Sequence, residues 1–161
     1  MTANIEVPDG GAQGTIVAQG GRFGGWALYF RAGVAKFIYN VLGINEFTIA
    51  ATEPIASGSH QVRAEFAYDG GGLGKGGTVT LYYDGSPVGN GKVAFTQAMI
   101  FSADETTDVG YESGTAVSSE LTPETSRFNG KIDWVQIDLG EDDHDHLVDP
   151  DERLKIVMAR Q

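Results

Sequence analysis

The chain has 161 residues, 41% of them hydrophobic and 10% aromatic, which is one domain's worth, able to bury most of its unfolded surface without disulfides and too apolar for wholesale disorder. Its formal net charge of -11, from 22 Asp and Glu against 11 Lys and Arg, excludes the basic footprint that nucleic acid or an anionic membrane surface demands. Cysteine is absent, which removes disulfide frameworks, zinc–thiolate sites and thiol nucleophiles, and no apolar run approaches the ~20 residues of a membrane helix.

Residues 4–7 make a short first strand, stopped by Pro8-Asp9-Gly10-Gly11. The apolar run 15–19 is a second strand, followed by glycine pairs on either side of Arg22-Phe23. Trp26, Leu28 and Phe30 then alternate with Ala27, Tyr29 and Arg31; Ala32-Gly33 turns the chain, and residues 34–42 return with Ala35, Phe37, Tyr39 and Val41 in one phase. Both phases of this hairpin are substantially apolar, as in strands held inside a sandwich. Residues 47–51 add a strand and 52–59 a loop. In 62–69, Val62, Ala64, Phe66 and Tyr68 alternate with Arg63, Glu65, Ala67 and Asp69, and 78–84 repeats the pattern. That is the period of two neighbouring antiparallel strands with one face buried; a glycine-rich loop joins them. Asp84-Gly85-Ser86-Pro87 turns into a further strand over 88–97.

Residues 102–130 are polar and turn-rich, and read as a long surface excursion with one short strand near 106–110. Residues 131–139 return to a strand suited to pair with an early one. In the tail, Asp149 as N-cap, Pro150 at the first helical position and Glu152 at the capping-box position start an amphipathic helix with Leu154, Val157 and Met158 on one face. Glycine, at 23 residues, exceeds the usual ~7% and falls between alternating segments, as many tight turns require. The whole reads as a single domain: an all-β, antiparallel two-sheet sandwich with one short C-terminal helix, a closed barrel being the second choice.

Gly72, Gly74 and Gly77 have dinucleotide-loop spacing, yet they lead into a strand where that fingerprint needs a helix N-terminus. The loop is structural, or the flexible rim of a surface groove flanked by Asp69 and Lys75. The oxygen-rich stretch 102–108 suits a structural calcium, with Asp104 and Asp108 as carboxylate ligands; a solvated turn is the plainer reading. His144-Asp145-His146 has transition-metal ligand types, set in what reads more simply as a solvated acidic run. Trp26 and Trp134 fall with the core, whereas Tyr29 and Tyr82, out of phase with their apolar neighbours, fall on an outer face where aromatics can stack sugars. No nucleophile-elbow sequence or facing carboxylate pair is visible, and no cofactor is required.

IVAQGGRFGGWALYF, EFAYDGGGLGKGGTVTLYYDG, FSADETTDVG, WVQIDLG and DDHDHLVDPDERLKIVMARQ resemble, in order, the C-terminal region of a group of large bacterial arylsulfatases; the resemblance runs from about residue 15 to 161. In that family a catalytic domain precedes this region and uses a C/S-x-P-x-R motif, with the Cys or Ser converted to formylglycine, and a calcium. The motif is missing here: there is no Cys, and neither Ser86-Pro87 nor Ser118-Ser119 fits it. The resemblance therefore implies a non-catalytic accessory domain, similar to concanavalin-like or laminin-G-like jelly rolls. Its role would be to pack on the sulfatase catalytic domain or an oligomer partner, or to bind glycan, for which Tyr29, Tyr82, Asp69 and Lys75 are this sequence's candidate residues. Its compartment would be periplasmic or secreted if the parent carries a signal peptide, and cytoplasmic otherwise. The rival expectations are an independent carbohydrate-binding module and a small glycosidase or lyase on the same fold.

Overall fold

The computed structural model describes residues 1–98, 101–102 and 106–140. The chain forms β1 (Thr2–Val7), β2 (Gly14–Gly21), β3 (Gly24–Arg31), β4 (Val34–Val41), β5 (Asn45–Ala50), β6 (Gly58–Tyr68), β7 (Lys75–Tyr83), β8 (Ser86–Phe95), β9 (Thr107–Val109) and β10 (Lys131–Gln136). They make two five-stranded sheets, β10-β1-β6-β7-β8 and β5-β4-β3-β2-β9, antiparallel throughout. Two separate sheets make this a sandwich and set the barrel aside. The strand expected near 106–110 is β9, paired with β2, and the late strand pairs with β1 as its pattern required. The expected C-terminal helix, His144, His146 and Asp104 lie outside the described residues.

Period-two alternation puts one side chain in two between the sheets. Ile5, Val62, Val79 and Leu81 of the first sheet meet Leu28, Phe30, Phe37 and Ile49 of the second in one buried cluster, and each such side chain contributes ~1.5–3 kcal/mol on burial. A bulge in β2 between Thr15 and Val17 breaks the alternation. It turns Ile16 and Val17 both into the core and leaves Thr15 and Ala18 facing outward. At the β5–β8 margin the sheets nearly touch. A Cβ on Gly89 would collide with the carbonyl oxygen of Ala50, so only glycine lets the two edge strands close over the core.

Three hairpins turn through pairs with positive φ at both central residues: Ala32-Gly33, Leu42-Gly43 and Asp84-Gly85. That is the type I′ geometry whose twist matches antiparallel strands. The third is also tied by its side chain. Asp84 Oδ1 accepts the Gln61 N–H at 2.8 Å and Oδ2 lies 2.7 Å from His60 Nδ1. These bonds, the backbone one foremost, hold the Asp84 carboxyl below the usual carboxylate range. Because the side chain is 54% exposed, Asp84→Ala costs no more than about 1 kcal/mol, a fall in Tm of roughly 2–4 °C. A depressed carboxylate stabilises fully above its unfolded pKa of about 3.9 and loses that contribution as pH falls through the native value. Melting curves of Asp84→Ala and the parent therefore lie further apart at neutral pH than in acid, where only the strain of alanine at positive φ remains; a gap that does not narrow in acid rules out the carboxylate as a source.

Candidate functional site

The outer face of the second sheet is sealed by the chain itself. Ala18, Ala27, Tyr29 and Ile38 point away from the main core and meet Ala116, Val117 and Leu121 of residues 111–128, forming a second buried cluster. Polar side chains of this cover are spent on the sheet. Glu112, 2% exposed, accepts the Thr15 hydroxyl at 2.7 Å and the Val117 N–H at 2.6 Å. Asn40 Nδ2 donates to the Val117 carbonyl at 2.8 Å, and Lys36 donates to both carboxylate oxygens of Glu120. The expected surface excursion is thus a packed lid. Tyr29 does point outward, as its phase predicts, but it is fully buried beneath this lid. Its hydroxyl donates to Glu120, accepts from Ser118 and is driven far up in pKa, chiefly by desolvation. Tyr29 is therefore removed from any exposed site.

The outer face of the first sheet is different. Glu65, Lys92 and Trp134 are 57%, 62% and 43% exposed, and no described segment lies across them. β6 runs through the middle, and Arg63 and Glu65 point outward between the inward Val62 and Ala64. The register sets Thr2 on one side of Arg63 and Tyr82 on the other, with Thr80 and then Asn90 beside Glu65. The Arg63 guanidinium lies 3.9 Å above the centre of the Tyr82 ring, a cation–π stack. Trp134 sits across β1, opposite Asn4. The core position expected for it is overturned, because the β1–β10 pairing slips between Asn4 and Ile5 and changes the phase. Asn4 and Lys131 both donate to the Asp133 carboxylate there, and those bonds, Lys131's first, lower its pKa.

Of the other expected residues, Tyr82 is half-buried on the open face, with one side of its ring taken by Arg63. Asp69 and Lys75 flank the β6–β7 loop at one margin. Asp69 pairs with Lys92 at 2.8 Å, and the backbone of Lys75 is held by Tyr68 and Thr96. Asp108 spends its carboxylate on Ser113 N–H and hydroxyl, at 2.7 and 2.9 Å. Among the described residues no three of His, Asp and Glu gather as a metal site. Arg63 went unnoticed in the sequence although its polar phase marks it as outward; the stack beneath it depends on register with β7.

One end of the sandwich is apolar. Phe23, Leu42 and Ile44, 66%, 53% and 78% exposed, stand on the neighbouring β2–β3 and β4–β5 turns, where a Cβ on Gly43 would lie 3.9 Å from the Phe23 ring. No protein-family model matches this chain, and no curated protein matches it.

Proposed function

We propose that the chain is a non-catalytic accessory domain of a sulfatase-like protein, a jelly-roll sandwich of the concanavalin or laminin-G kind, that holds glycan on the open face of its first sheet. The observation that carries this reading is the unequal treatment of the two outer faces. One is closed by the domain's own chain, whereas the other presents half-exposed Trp134 and Tyr82 among hydroxyl, amide and charged side chains. Aromatic faces with convergent polar groups are what sugar rings require, the apolar side of the ring stacking while hydroxyls are hydrogen-bonded. Fold likeness alone would not license the step; the exposed residues do.

Titration with a panel of neutral and acidic oligosaccharides, read by tryptophan fluorescence and Tm, tests this. Binding should quench the exposed Trp134, and Trp134→Ala should remove the quench and weaken binding by at least about fivefold while leaving Tm within 2 °C or so. If no oligosaccharide changes either signal, the glycan reading fails. The apolar end favours a second reading, docking on a catalytic domain through Phe23, Leu42 and Ile44; lack of glycan binding together with co-sedimentation with a sulfatase catalytic domain would select it. Turnover of an aryl sulfate or glycan by the purified chain would overturn the non-catalytic assignment.

A further inference from the structure

We infer that the glycan taken by the open face is acidic, and that Arg63 receives its carboxylate or sulfate group; this rests on the reading of that face as a glycan site. The bases on this face differ in what already occupies them. Lys92 is held at 2.8 Å by Asp69, and Lys131 is paired with Asp133. Arg63 is the least committed of the three. Among the described residues its guanidinium donates no hydrogen bond, and its one carboxylate neighbour, Glu65, stands off at 3.6 Å with 57% of its side chain exposed. A pair that long and that exposed contributes little. Tyr82 meanwhile carries the guanidinium carbon 3.9 Å above its ring centre.

The stack settles what each group can do. With Arg63 on one side of its ring, Tyr82 is a support for the cation, so sugar stacking falls to Trp134. Cation–π contact with the ring uses none of the N–H donors of the guanidinium, and that planar fork matches the two oxygens of a carboxylate or sulfate. Thr2 lies opposite it on β1, and Thr80 and Asn90 lie two residues along, in register with Glu65, hydroxyls and an amide suited to the sugar hydroxyls around the acid. From Arg63 on β6 to Trp134 on β10 is two strand spacings across the sheet and two residues along it, about 12 Å, a span of two to three sugar units. The chain's net charge of -11 slows the approach of an acidic ligand, but screening within ~8 Å at physiological salt leaves the contact to decide affinity.

The test compares three probes by calorimetry on the whole chain: a galacturonate hexamer, its fully methyl-esterified form, and a sulfated galactan oligomer. The parent should bind at least one acidic probe at least about tenfold more tightly than the ester, and Arg63→Gln should abolish that preference without moving Tm. Arg63→Lys, which keeps charge but loses the stacked fork, should recover only part of it. Glu65→Gln, which removes the competing carboxylate, should tighten acidic probes by up to about fivefold. The carboxylate and sulfate arms separate the two acid sources. Equal binding of acid and ester sinks the acidic ligand and leaves the glycan reading standing. Acid preference that survives in Arg63→Gln overturns the assignment to Arg63. Binding of none of the three overturns both.

Discussion

Glu112→Ala should lower the stability of the domain by about 4 kcal/mol, read as a fall in Tm of roughly 10 °C. The residue lies at 2% exposure between sheet and lid, where one carboxylate oxygen takes the Thr15 hydroxyl and the other the Val117 N–H. Removing it strands both donors away from water, at ~1–3 kcal/mol each, and leaves a void besides. Glu112→Gln keeps one acceptor and should lose about half as much. Thr15→Val takes the hydroxyl donor from one oxygen of the buried carboxylate and should cost ~1–3 kcal/mol, less than Glu112→Ala because it strands one group and opens no comparable void. The damage is local first. Hydrogen exchange at residues 115–121 should quicken before that of β3 and β4, because the lid rests on a few apolar contacts and this knot. A loss under about 1 kcal/mol, or uniform exchange across lid and sheet, would show that the lid is held some other way.

The lid also marks where the sequence stops being informative. Strand positions follow from alternation, a property of neighbours along the chain, and the pairing of β6 with β7 follows from their closeness in sequence. What lies over a face does not. The phase of Tyr29 is correctly outward, but the Ser118 and Glu120 that close over it come from about ninety residues further on. The lid's composition misleads as well. Its Glu112, Ser118 and Ser126 look like solvated loop residues and are buried, each matched to a partner on the sheet or within the lid. Trp134 fails for a smaller reason, a one-residue slip that swaps the two faces of a strand. The open face is legible only in part. Arg63 and Tyr82 both carry the outward phase, but their stack needs the register fixed by the β6–β7 connection.

Phe30→Ala should cost about 4 kcal/mol and still leave the open face able to bind. Phe30 is fully buried, with Tyr83 of the first sheet 6.5 Å away on one side and Phe128 of the returning chain 6.2 Å away on the other. It joins both sheets and the end of the lid, and alanine there leaves a cavity that three separate elements would have to move together to fill. Tyr83 keeps a second anchor, its hydroxyl accepting the Ala35 N–H at 2.9 Å, so β7 should hold its place well below the new Tm. Tyr82, on the other face of that strand, then still supports Arg63. The two substitutions should separate cleanly: Phe30→Ala lowers Tm by roughly 10 °C with glycan affinity at 10 °C unchanged, and Arg63→Gln removes the acid preference with Tm unchanged. If Phe30→Ala also removes binding while the domain is still folded by circular dichroism, the open face depends on the packing behind it, and stability and recognition in this sandwich are one property.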